Sequence, residues 1–132
     1  MIVLDASAAL ELLLNRPLGA AVAERAFAPG LSLHAPHLLD LEVAQVLRRL
    51  SRSGEIEPAR ASEAIDDLAD LGIVRYPHGM LLPAIWALRE NATAYDAAYL
   101  VLAAALEATL VTCDAKLARV PGSGARVDVV SR

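Results

Sequence analysis

Four carboxylates stand where an isolated acid has little local reason to be. Asp5 ends the apolar run Ile2-Val3-Leu4, and Asp114 follows Leu110-Val111-Thr112-Cys113. Asp96 is the only charged residue between Ala92 and Leu106, and Glu42 edges the helical arc of Leu39, Val43, Val46, Leu47 and Leu50. If folding gathers all four about 6 Å apart, at an effective dielectric near 20, each pair repels by about 3 kcal/mol. Six pairs amount to on the order of 15 kcal/mol, comparable with a whole domain's stability. Such a cluster requires protons, basic partners or a cation, and oxygen-only donors select Mg2+ or Mn2+. The chemistry that goes with that cation is phosphodiester hydrolysis.

Taken singly, each acid has a structural role open to it. Asp5 and Asp114 precede segments of helical pattern, where Asp is a favoured N-cap. Thr93 with Asp96 fits the S/T-x-x-D/E capping pattern, which is compatible with metal binding because one carboxylate oxygen can serve each. A place near a helix start also stabilises the Asp96 anion. Glu42, beside Val46 and Arg49, reads alone as a solvated boundary residue.

The elements that must position these acids follow from periodicity and punctuation. Strands are expected at 1–4, 31–35, 73–76, 109–112 and 127–130. Helices are expected at 7–14, 20–27, 38–52, 58–71, 82–90 and 93–107, with a short one at 115–119. Ser7 reads as the N-cap of the first, Pro58 opens the fourth, and Gly72 lies at its C-terminal end. The 93–107 helix is apolar nearly all round and so should be buried. Strands alternating with helices indicate a three-layer α/β fold on a parallel sheet. Ligands in such sheets bind beyond the carboxyl ends of the strands, where Asp5 and Asp114 fall.

The chain has 132 residues, enough for one domain burying roughly two thirds of its unfolded surface. A hydrophobic fraction of 56% with 21% charge excludes a disordered chain. The net charge of −4 argues against a nucleic-acid partner, yet the sixteen acids less the four candidates leave twelve, matching the twelve Lys and Arg. Eleven of those twelve are Arg, whose forked donors suit phosphate. A lone Cys113 cannot form an internal disulfide, which suits a reducing cytoplasm. Asp5 and Glu11 interrupt any signal-peptide pattern, and the uncharged run 97–106 is about half a membrane span. A cytoplasmic protein with no membrane association is expected.

Arg48, Arg49 and Arg52 cluster on the exposed side of the Glu42 helix, and Lys116 and Arg119 follow Asp114 closely. Either group could contact phosphate or form an ordinary solvated face. His34, His37 and His78 show no metal-binding spacing, and Trp86 and Tyr99 read as core or contact residues. The acid beside Cys113 disfavours its thiolate and hence a nucleophilic role.

Four ordered segments, Met1-Ile-Val-Leu-Asp5-Ala-Ser7, Leu38-Leu-Asp-Leu-Glu42-Val, Thr93-Ala-Tyr-Asp96-Ala-Ala-Tyr-Leu and Thr112-Cys-Asp114, carry a resemblance that spans the whole chain. The chain resembles PIN-domain ribonucleases, specifically the VapC toxins of type II toxin–antitoxin systems. The resemblance implies a single PIN domain over residues 1–132, with a parallel sheet in strand order 3-2-1-4-5. It implies an Mg2+-dependent endoribonuclease, with Mn2+ as a plausible substitute, acting on tRNA or rRNA. It also implies a homodimer and a cognate VapB-type antitoxin that blocks the site. The family's catalytic acids map onto Asp5, Glu42, Asp96 and Asp114, with Asp5, Asp96 and Asp114 as metal ligands. Ser7 and Thr112 become their supporting polar partners, and Arg49, Lys116 and Arg119 candidate RNA contacts.

Two other functions compete. A haloacid-dehalogenase-type phosphatase needs Asp-x-Asp after the first strand, and here the second position is Ser7; a receiver domain likewise wants adjacent early acids. A catalytically silent PIN-like module that binds RNA or protein is the non-enzymatic alternative, and its expected signature, a missing acid, is absent.

Overall fold

Short runs of β-branched and aliphatic residues, too short to stand alone, pair into one sheet in the computed structural model, which describes residues 1–132. The strands are β1 (Ile2–Leu4), β2 (Leu33–Pro36), β3 (Val74–Tyr76), β4 (Thr109–Thr112) and β5 (Arg126–Val129). All pairings are parallel and the order is β3-β2-β1-β4-β5, as the resemblance implies. In the register, Leu4 lies opposite Val111, so β1 and β4 end side by side. The residues that follow them, Asp5 and Thr112 to Asp114, therefore emerge at one edge.

Six α-helices flank the sheet: α1 (Ala6–Leu13), α2 (Gly19–Ala26), α3 (Leu38–Arg52), α4 (Pro58–Asp70), α5 (Leu82–Ala87) and α6 (Ala94–Leu106). Central β1 is buried along its whole length, as a strand covered on both faces must be. Val3, Leu4, Leu110 and Val111 from the sheet join Leu39, Val43, Leu100 and Leu102 from the helices in the main core. Each such side chain contributes about 1.5–3 kcal/mol on burial. Helix α6 is buried without a break from Ala97 to Ala103, as its uniformly apolar sequence requires.

Several boundaries differ from the sequence expectation, each for a local reason. Asp5, not Ser7, is the N-cap of α1, because its carboxylate accepts the Ala8 N–H at 3.0 Å and the helix begins a residue before Ser7. The expected 82–90 helix ends at Ala87 and is preceded by a 3-10 turn, Gly79–Leu81. The segment Ala115–Arg119 is also 3-10. Strand β2 starts later than expected and includes Pro36; the next ladder donor is His37 N–H, bonded to Tyr76 O at 2.9 Å, so a strand-end proline interrupts nothing. Strand β5 begins one residue early, at Arg126.

Two contacts fix the helix that carries Glu42. The Leu38 N–H at its start donates to His78 Nε2 at 3.0 Å. Arg75 Nε, from β3, donates to both carboxylate oxygens of Asp40, at 3.0 and 2.8 Å. Helices α1 and α2 meet at Gly19, where a Cβ would stand 2.6 Å from the Glu11 carbonyl oxygen, so glycine alone permits that approach.

Candidate active site

At the shared ends of β1 and β4 a carboxylate is taken out of water and held by hydroxyls. Asp5 is 5% exposed. Its Oδ1 accepts from Ser7 Oγ at 2.8 Å and from the Ala8 N–H at 3.0 Å, and its Oδ2 accepts from Thr112 Oγ1 at 2.5 Å. Both hydroxyls then accept from the backbone of the β4 end: Cys113 N–H to Ser7 Oγ at 2.9 Å, and Asp114 N–H to Thr112 Oγ1 at 3.0 Å. Ser7 and Thr112 thus clamp α1 onto β4 and aim Asp5 at the same time. Burial pushes the Asp5 carboxyl above the ordinary Asp range, against the pull of those three hydrogen bonds, and the nearby Asp114 charge pushes it further.

The other three acids arrive from separate elements. Thr93 caps α6 by accepting the Asp96 N–H at 3.1 Å. The reciprocal half of the capping pattern is not made, so the Asp96 carboxylate is free for other work; its partner is Lys116 Nζ, 3.5 Å from Oδ2. Asp114 caps the 3-10 turn through Oδ1, which accepts the Lys116 N–H at 3.1 Å, while its Oδ2 lies 3.5 Å from the same Lys116 Nζ. Glu42 reaches in from α3, where its Oε1 accepts from Tyr99 Oη at 2.5 Å.

Tyr99 ties the group together. It is 2% exposed and sits one turn after Asp96 on α6. Burial drives its phenol far above the ordinary tyrosine value; the Glu42 hydrogen bond and the charges of Glu42, Asp5 and Asp96 add to this. One hydroxyl therefore feels three of the four acids. Sequence reasoning places Tyr99 as a core or contact residue and misses this role. The available signal was a phenol on a helix otherwise apolar and buried, since a buried tyrosine hydroxyl needs a partner.

The structure thus brings Asp5, Glu42, Asp96 and Asp114 to one edge, with Ser7, Thr112 and Lys116 among them. Arg49 and Arg119 are exposed, and Arg49 follows Glu42 by seven residues on the same face of α3. Burial first, then the Asp5 charge, push the Cys113 thiol up to about 11, which disfavours the thiolate that a nucleophile needs. No three metal-ligating side chains converge in the geometry of a finished ion cage. The donor set nevertheless fits a hard cation, because every donor is a carboxylate or hydroxyl oxygen. Three of the four lone-pair positions of Asp5 are filled, and Asp96 Oδ1 and Glu42 Oε2 carry no hydrogen bond from the protein.

This fold and this sequence are matched among known proteins. The family model described as PIN domain matches residues 2–123. Over their full lengths, the chain and the VapC ribonuclease Mb0985 of Mycobacterium bovis are 43% identical. Ribonuclease VapC1 of Mycobacterium tuberculosis is 41% identical, over 97% of this chain and 96% of its own length. The crystal structure of PAE2754 from Pyrobaculum aerophilum superposes with a TM-score of 0.68 over 96% of this chain and 82% of that one; at 24% identity it speaks to the fold alone. The chain belongs to the PIN-domain family and, within it, to the VapC group.

Proposed function

We propose that the protein is an Mg2+-dependent endoribonuclease, with Mn2+ able to substitute, acting as the toxin of a type II toxin–antitoxin pair. The observation that carries this is the placing of Asp5, Glu42, Asp96 and Asp114 around one sheet edge, linked through Tyr99 and Lys116, backed by the ribonuclease names of its relatives. Asp5 and Asp96 would hold the ion, with Asp114 joining directly or through water. When bound, such an ion supplies polarisation of the scissile phosphate and a lowered pKa for an attacking water. Glu42, its Oε1 fixed by Tyr99, keeps Oε2 without a protein partner and would orient that water and take its proton. Asp5 is kept in place by Ser7 and Thr112, whose hydroxyl protons are both committed to it. Arg49, Arg119 and Lys116 offer positive charge to the flanking phosphates, which positions an RNA strand without reading its sequence.

The family relationship supports tRNA or rRNA as substrate and a VapB-type antitoxin as the partner that blocks the acid edge. A homodimer is supported by exposed apolar surface: Leu82 and Tyr95 line a groove with Leu38, Ile85 and Ala98, and Met80 and Trp86, close to Leu82 in the chain, are exposed as well. Cytoplasmic action agrees with the unpaired Cys113, and no helix is long and apolar enough to cross a membrane.

Incubation of the purified protein with total cellular RNA tests the activity. Discrete fragments are expected with Mg2+, and none with EDTA or from Asp5→Asn. RNA binding without cleavage under any divalent ion would assign the chain to the silent modules instead.

A further inference from the structure

Lys116 is the chain's one lysine among eleven arginines. Its ammonium lies 3.5 Å from Asp96 Oδ2 and 3.5 Å from Asp114 Oδ2, joining acids from two different elements. The side chain is 65% exposed, so packing does not hold it there. The two carboxylates do, and they raise its pKa, Asp96 foremost. An ammonium suits the place better than a guanidinium would. It is a compact, strongly hydrated point charge on a flexible stem, closer in size and hydration to a small cation than a planar fork is.

We propose that Lys116 is a resident counter-cation of the acid edge, holding Asp96 and Asp114 when no divalent ion is bound, and that an ion must displace it to engage both carboxylates. This rests on the metal-site reading above. Coulomb repulsion forbids an ammonium and a divalent cation from sharing one gap of this size. Lys116 therefore opposes ion binding while it relieves repulsion between the acids in the ion-free protein. Its exposure is what makes the exchange possible: a buried lysine could not swing out into water.

The test is an Mn2+ titration of the full chain, with free Mn2+ followed by electron paramagnetic resonance and Tm measured in parallel. Wild type, Lys116→Met, Lys116→Gln and Arg119→Met are compared after EDTA stripping and dialysis. Both Lys116 variants should bind Mn2+ about tenfold more tightly and show a larger ion-induced rise in Tm. Arg119→Met removes a nearby charge that is outside the gap and should change the affinity by less than about threefold. Equal affinities for wild type and the Lys116 variants, or Lys116 variants no tighter than Arg119→Met, overturn the counter-cation role and leave the metal site standing. Absence of binding by wild type and every variant overturns the metal site, and the counter-cation role with it.

Discussion

Asp5 is the most constrained residue of the acid edge, because it directly follows β1, and its carboxylate caps α1 and accepts from the hydroxyl of Thr112 in β4. Replacing it with Asn keeps the shape and removes the charge that burial already disfavours. Asp5→Asn should therefore abolish RNA cleavage while leaving the circular dichroism spectrum and cooperative melting intact; undiminished cleavage would sink the assignment. Thr112→Val removes both a donor to Asp5 and the acceptor of the Asp114 N–H. We expect about a 10- to 100-fold loss of activity or ion affinity and about 1–3 kcal/mol of stability, read by kinetics and denaturant melts. Tyr99→Phe deletes only the hydroxyl that orients Glu42. It should lower kcat about tenfold with KM nearly unchanged, since the hydroxyl acts through Glu42 and not on substrate; a rise in KM alone would contradict that role. Asp5 and Asp114 were legible in the sequence because charge at the end of an apolar run is anomalous, and Asp96 because it is the one charge in a long apolar stretch. The Tyr99–Glu42 bond was not, because its partners are 57 residues apart and each looks ordinary in its own helix.

At the scale of elements, those with a strong period or clear punctuation were read with little error. Helix α3 and strand β4 have the bounds expected from the sequence, and the all-round apolar α6 is buried as expected. Boundaries were missed at α1, whose cap is Asp5 and not Ser7, and at the 82–90 segment, which stops at Ala87 after a 3-10 turn; the short helix expected at 115–119 is present as a 3-10 helix capped by Asp114. Within strand β2, His34 is buried between Ser32 Oγ and Tyr76 Oη, each 2.7 Å from one ring nitrogen. Burial, with a smaller contribution from the positive N-terminus, holds the His34 pKa below its ordinary 6.5. A depressed folded pKa means that the folded state resists protonation. The stability this residue contributes is thus present above 6.5 and lost as pH falls through the folded value. Tm should fall between about pH 7.5 and about pH 5.5, and His34→Gln should flatten the fall. An identical slope in the variant would show that the loss arises elsewhere.

For the whole molecule, alternation of strand and helix was enough to indicate a parallel sheet, and the ordered acids supplied its strand order through the family resemblance. What no linear pattern announced is the surface that the fold leaves apolar. Leu82 opens α5 and is 56% exposed beside Tyr95, on a groove whose floor comes from α3, α5 and α6. A contiguous exposed apolar patch of this kind is the ordinary mark of an interface. In a two-fold dimer the same patch serves both subunits, so one substitution enters the interface twice. Leu82→Glu is well suited to test this, because an acid at a helix N-terminus is favourable to the helix itself and leaves its folding undisturbed. Two buried, unpaired carboxylates should weaken the dimer on the order of 100-fold, turning a sedimentation-equilibrium dimer into a monomer with an unchanged melting profile at low concentration. A wild-type chain that sediments as a monomer at high concentration, or a variant that dimerises as tightly as wild type, would remove this surface as the dimer contact.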